Sequence, residues 1–415
     1  MNYPKIQQNA GRLNGWLLAF MAFALPLSTS GLSILALLIL LVWLIEGGYR
    51  EKLRVITSNP VAMALLLYLA LFWVGLLWTE DLASGLDVIK KYWKLMLLPV
   101  FLTAVRLPLR RLYAGFFLAG MTVAMTMTSM AWLGRYFHYA DDTMKLFTWV
   151  SHSRNIAYNP MLAFAIYLLW HEVAWGKVRG AWRWALAGLA SLMMVNMFIT
   201  EGRSGQLVFF FLLGLFILQL FKKKILYAVL VMTVALPLIF VAGYQLSPIF
   251  HQRVASIYSD ILQFRSDPNT SVGLRLLFWQ NSMEIVKNDP WLGAGTGDFQ
   301  SAYAEVNKRQ SPQIRVTDNP HNQYILVLCQ LGIAGLMALV AIFAAQIRRA
   351  FVQLDGWERV RLAFPLFFLI IMSTESYLIV SGTGFLFSLF SAVLYAQQQE
   401  SPAPSDCCSQ GLGKS

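Results

Sequence analysis

The sequence predicts an all-α polytopic membrane protein of about twelve transmembrane helices. Composition, the spacing of apolar runs and the placement of positive charge all point there. Of 415 residues, 57% are hydrophobic and only 13% are charged, where a soluble domain carries about 25% charged residues. About 20 apolar residues cross a bilayer, and runs of that kind succeed one another between short polar joints along most of the chain. A single transmembrane domain over 1–415 is expected, with no separate soluble domain. The first apolar run, from Gly15, reads as a span rather than a removed signal.

The expected spans are 15–30, 32–46, 61–79, 93–105, 112–134, 156–175, 182–200, 205–221, 225–244, 323–347, 362–379 and 383–397. Alternate joints are basic: Arg50, Lys52 and Arg54; Arg106, Arg110 and Arg111; Lys177, Arg179 and Arg183; Lys222 to Lys224; Arg348, Arg349, Arg359 and Arg361. Short basic loops mark the cytoplasmic side. All five fall on one side when twelve spans are counted, and both termini join them there. The same loops account for the net charge of +12, which suits anionic membrane lipids and not nucleic acid.

The segment 245–322 faces the other side and is too long for a plain connector. Val254, Ile257, Tyr258, Ile261 and Leu262 recur at helical spacing, as do Val272, Leu276, Trp279, Met283 and Val286. Asp289-Pro290 stops the second helix, and Gly293, Gly295 and Gly297 make a bend. Short amphipathic helices lying over the bundle as a lid are expected, and helices that merely cover it are equally compatible with the pattern.

Three outward sites carry candidate chemistry. In Thr200-Glu201-Gly202-Arg203-Ser204-Gly205, a guanidinium stands at a helix start capped by Ser204, an arrangement that binds phosphate oxygens. The plainer reading is an interfacial anchor paired with Glu201. Arg275, in Gly273-Leu274-Arg275, opens the second lid helix with Arg265 a few residues earlier, and two arginines together grip a diphosphate. In Asn319-Pro320-His321-Asn322, Asn319 reads as an N-cap and Pro320 as N1, which places His321 in the first helical turn. The helix end there favours a neutral imidazole, able to take a proton from a hydroxyl. Glu375 is a carboxylate well inside an apolar run, and such acids are functional candidates; packing is the alternative.

Other features lead nowhere. Asp81 and Asp141-Asp142 lack partners at metal-ligand spacing, so no metal is expected. Cys329, Cys407 and Cys408 suggest neither disulfide nor zinc. The tail Gly411-Leu412-Gly413-Lys414-Ser415 echoes a phosphate loop, but Cys408 stands where its first glycine belongs.

Taken together, Arg203-Ser204-Gly205, the run Gly273-Leu274-Arg275…Trp279…Asp289-Pro290-Trp291-Leu292-Gly293-Ala294-Gly295 and His321-Asn322…Leu331-Gly332-Ile333-Ala334-Gly335 resemble the O-antigen ligase family, within the wider ligase and polymerase superfamily of bacterial envelope glycosylation. The resemblance implies a GT-C-type fold in the inner membrane with a periplasmic active site. It implies a cofactor-free, metal-independent glycosyltransferase that moves O-antigen from undecaprenyl diphosphate onto lipid A–core in lipopolysaccharide biosynthesis. It further implies donor-diphosphate binding by Arg203 and Arg275 and a general base at His321, with Arg265, Asn322 and Glu375 as supporting candidates. An O-antigen polymerase and a protein O-oligosaccharyltransferase share these motifs; the short tail argues mildly against the latter. A transporter is disfavoured, because the ionisable groups sit at the boundary and no internal repeat is found.

Overall fold

In the computed structural model, which describes residues 3–136, 155–264 and 266–397, every regular element is a helix. Arg265, Asp141, Asp142, Cys407, Cys408 and residues 411–415 lie outside the described residues. The first helices are α1 (Tyr3–Ala24), α2 (Thr29–Glu46), α3 (Tyr49–Ser58), α4 (Pro60–Val74), α5 (Leu82–Lys91), α6 (Leu98–Ala104) and α7 (Arg110–Tyr136). The middle of the chain forms α8 (Asn155–Trp175), α9 (Ala181–Ile199), α10 (Arg203–Leu220) and α11 (Ile225–Leu246). Then come α12 (Pro248–Gln263), α13 (Ser271–Asn288), α14 (Phe299–Gln310), α15 (Gln323–Val352), α16 (Glu358–Ile371) and α17 (Ser381–Tyr395). Seven helical segments among the described residues are long and apolar enough to cross a membrane: α2, α4 with its 3-10 extension to Leu77, α7, α9, α10, α11 and α15. The chain is an all-α, multi-pass membrane protein.

Several expected boundaries move. The basic stretch 50–54 is the helix α3 rather than a loop, and the expected loop 80–92 contains α5. The run 93–105 yields only a 3-10 turn and the seven residues of α6, because Pro99 sits where a longer helix would need a backbone donor. The expected span 362–379 stops at Ile371, and residues 372–380 form a buried, non-helical connector to α17. Glu375 therefore lies between two short helices, not inside a span.

One end of the bundle collects the basic joints. Arg110 Nη1 meets Asp355 at 2.7 Å and Arg361 Nη2 meets it at 2.5 Å. The remaining donors of these arginines reach the carbonyls of Val393, Leu394 and Gln353. The 30 residues of α15, from Gln323 to Val352 with an interruption at Gly332, run from the opposite end towards this one.

The segment 245–322 has a core of its own. Phe278 and Ile285 of α13, Phe299, Tyr303 and Val306 of α14, and Leu326 and Cys329 of α15 form an apolar cluster distinct from the main one. The buried face of α13 is Leu277, Phe278, Asn281, Ser282 and Ile285, rotated from the expected stripe. On α12 the expected stripe is turned outward: Tyr258, Ile261 and Leu262 are exposed.

The glycines after α13 explain how this segment is anchored. Gly332 breaks α15 with φ 60° and ψ −156°, a conformation open essentially to glycine alone. The loop 290–295 takes up the backbone groups that the break releases. Ala294 N–H donates to Cys329 O at 2.9 Å and Gly295 N–H to Gln330 O at 3.2 Å. In return, Ile333 N–H donates to Pro290 O at 2.9 Å and Ala334 N–H to Trp291 O at 3.2 Å. A Cβ on Gly332 would lie 2.3 Å from Trp291 C, and one on Gly293 would lie 2.5 Å from Gln330 C. Backbone meets backbone here, with no room for a side chain. Asp298 completes the anchor by accepting the N–H groups of Glu80 and Asp81 at 2.9 and 3.1 Å.

Candidate functional site

At the end opposite the Asp355 cluster, Arg203, Arg275, His321, Asn322 and Glu375 come together from four separate stretches of chain. Arg203 is the first residue of α10, with Gly202 at the cap position and no side-chain cap. Ser204, expected as the cap, lies inside the first turn and accepts a hydrogen bond from Thr374 Oγ1 at 2.8 Å. This ties α10 to the Glu375 connector. Close approach of α10 to α8 requires Gly205, whose Cβ would fall 2.3 Å from Asn159 Cβ.

The pairing expected between Arg203 and Glu201 does not form. Glu201 pairs with Arg253 of α12 instead, an arginine that belongs to no motif in the sequence. Arg203 donates to Ser256 Oγ at 2.8 Å and, more weakly, to Ser271 Oγ at 3.5 Å. Arg275, in the second turn of α13, has no hydrogen-bond or ion-pair partner among the described residues. Thr270 caps that helix by accepting Gly273 N–H at 3.1 Å. A cavity of about 190 Å³ is lined by Arg203, Arg253 and Arg275 together with Glu201, Glu375 and Tyr377. Glu201 pairs with Arg253 and Glu375 with His321, so among the described residues Arg203 and Arg275 form no ion pair, although the charge of Asp260 acts on Arg203 and that of Arg275 acts on Glu375.

His321 is not in a helix. Asn322 is the N-cap of α15, its Oδ1 accepting Tyr324 and Ile325 N–H at 3.0 and 3.3 Å. Asn319 instead closes a turn, with its Oδ1 accepting His321 N–H at 2.9 Å and Ser376 Oγ–H at 2.8 Å. That turn gives His321 a left-handed backbone with φ 53°, which costs about 1 kcal/mol and marks a conformation imposed by its surroundings. Trp279 Nε1 pins the turn through Pro320 O at 2.9 Å, and Phe278 stacks on the imidazole with ring centroids 6.1 Å apart.

Glu375 orients that imidazole. Its Oε2 lies 2.7 Å from His321 Nδ1, while its Oε1 accepts Asn319 Nδ2–H at 3.0 Å and Ser376 N–H at 2.8 Å. Burial alone would push this carboxyl up. The hydrogen bond and charge of His321, the Ser376 amide and the charge of Arg275 outweigh it and hold the carboxyl below its ordinary range. An ionised Glu375 can only accept, so Nδ1 carries a proton and Nε2 is the ring nitrogen turned away from the carboxylate. The carboxylate, more than any helix dipole, orients the ring. Asn322 acts from behind, holding Ser373 O at 3.1 Å, and Gln323 N–H holds Met372 O at 2.9 Å.

A second cavity of about 650 Å³ opens on the His321 side, lined also by Leu274, Phe278, Gln300, Arg315 and Asp318. Among the described residues, no group of three or more His, Cys, Asp or Glu is placed to hold a metal ion.

Residues 186–340 match the family model described as O-antigen ligase. Over that stretch the chain is similar to the O-antigen ligase family. The matched segment holds Arg203, Arg275 and His321, and it ends before Glu375. An uncharacterised protein of Haemophilus influenzae is 27% identical over 137 residues, which covers 32% of this chain and 34% of that relative. The chain thus spans about a third of the length of the curated relative it matches.

Proposed function

We propose that this protein transfers O-antigen from undecaprenyl diphosphate onto lipid A–core at the periplasmic face of the inner membrane, with no metal. The observation that carries this reading is the pair of guanidiniums that form no ion pair, Arg203 and Arg275, beside the Glu375–His321 pair. A diphosphate diester brings two negative charges, which Arg203 and Arg275 complement. His321 Nε2 takes the proton of an acceptor sugar hydroxyl as that oxygen attacks the anomeric carbon. The bond from that carbon to the diphosphate oxygen breaks, and undecaprenyl diphosphate leaves with the electron pair. The arginines offset the charge developing on the leaving oxygen, and Glu375 stabilises the imidazolium as it forms. Direct displacement inverts the anomeric centre.

In this reading the seven long helices are joined by α1, α6 with its preceding 3-10 turn, α8, α16 and α17 to make about twelve crossings of a GT-C-type fold. The basic joints and both termini are cytoplasmic by the positive-inside rule, and the segment 245–322 covers the site as a lid. Arg265 is a supporting candidate by its position before α13.

The test uses purified protein with a chelator, undecaprenyl diphosphate-linked O-antigen and lipid A–core, beside His321→Ala. Glycan ladders on lipid A–core that vanish in the variant support the reading. Elongation of the lipid-linked donor itself would identify a polymerase. An unaltered donor with a folded protein would refute glycan transfer.

A further inference from the structure

We propose that the cavity on the His321 side is the acceptor subsite, and that Arg315 selects an acceptor sugar bearing a phosphate or carboxylate near its reacting hydroxyl. The inference rests on the glycan-transfer reading above and assigns the site that reading leaves open. Direct displacement needs the attacking and leaving oxygens on opposite sides of the anomeric carbon. Arg203 and Arg275 lie on one side of the Glu375–His321 pair: Glu375 lines their cavity, and His321 lines the other. Adjacent residues of α13 are divided in the same way, with Arg275 in the first cavity and Leu274 in the second. The partition between the cavities is therefore the base itself, and the second cavity delivers a hydroxyl to its free nitrogen.

The lining of that cavity defines its occupant. Phe278 and Leu274 offer apolar surface to the face of a sugar ring, and Asn269 and Gln300 offer amides to its hydroxyls. Asp318 is answered only at 4.0 Å, by Lys91. Arg315 has no ion-pair or hydrogen-bond partner among the described residues. A guanidinium with five donors beside amides matches an anionic substituent better than a neutral hydroxyl. The volume of about 650 Å³ accommodates more than one sugar unit.

Binding read without donor tests the assignment directly. The full chain in detergent is titrated with phosphorylated lipid A–core, with the same lipid stripped of phosphate, and with undecaprenyl diphosphate. Arg315→Gln should weaken binding of the phosphorylated acceptor at least tenfold, and Arg315→Lys should recover part of the loss. On the stripped acceptor, wild type and Arg315→Gln should bind alike, and undecaprenyl diphosphate should bind all variants equally. Equal binding of phosphorylated acceptor to wild type and Arg315→Gln would overturn the proposal, as would a parallel loss of undecaprenyl diphosphate binding. The two readings fail separately. A wild type that binds acceptor in this pattern yet never glycosylates it refutes the ligase reading, whereas transfer indifferent to Arg315 refutes the subsite.

Discussion

Arginines at the two ends of the bundle are used in opposite ways. At the basic end, Arg361 is fully buried, and its guanidinium is satisfied by Asp355, Leu394 O and Gln353 O. Arg110 is treated alike, through Asp355 and Val393 O. Burial would push the Asp355 carboxyl up, but Arg361 and Arg110 draw it down to about 2. At the other end Arg275 is half-buried with no partner among the described residues, and Arg203 meets only serine hydroxyls. A satisfied guanidinium holds structure, and an unsatisfied one in a cavity waits for an anion. The motif residues of the sequence lie at the unsatisfied end.

The difference can be broken at either end. The largest effect is expected in the chemistry: His321→Ala should lower transfer about 10²- to 10⁴-fold while donor affinity persists, read by turnover against undecaprenyl diphosphate binding. Next, Asp355→Ala should lower stability by about 3–5 kcal/mol, because it strands the buried charge of Arg361; thermal unfolding in detergent checks it. Acid should act on the same cluster. A carboxyl depressed to about 2 contributes fully above the ordinary aspartate range near 4. That contribution is lost as pH falls from about 4 towards 2, a loss that Asp355→Ala should no longer show. Gly332→Ala should cost about 2–3 kcal/mol through backbone strain, and more where Trp291 cannot shift. Smallest in stability terms is Arg275→Gln, which should weaken donor binding by about 1.5–3 kcal/mol and leave thermal stability within about 0.5 kcal/mol. Destabilisation by Arg275→Gln as large as that by Asp355→Ala would erase the distinction between the ends.

Much of this arrangement is legible in the sequence, because apolar runs and basic joints follow from transfer energies that need no tertiary context. Each expected span has a helix within it. The failures are local. Helices α3 and α5 were hidden because a short amphipathic helix mixes charge and apolar residues as a loop does. The run at 93–105 is shortened by Pro99, and the run at 362–379 is helical only to Ile371. At the site, Arg203, Arg275 and His321 stand in recognisable motifs, but Arg253 has none and is found only through Glu201. Asn319 and Asn322 are three residues apart and both suit a cap. Only the Asn319–Ser376 contact decides which one caps and which one turns the chain. Gly293, Gly295 and Gly297 read as a bend and Gly332 only as part of a motif, whereas Gly293 and Gly332 serve a backbone-to-backbone joint between segments some forty residues apart.

The most direct measurement is the single-turnover rate of glycan transfer from pre-bound undecaprenyl diphosphate donor to lipid A–core, in chelator, for wild type, His321→Ala and Glu375→Gln. Transfer by wild type, a fall of at least 10²-fold in His321→Ala and a smaller fall in Glu375→Gln are expected, with donor occupancy equal in all three. Undiminished transfer by His321→Ala would contradict the assignment of the base and the chemistry built on it.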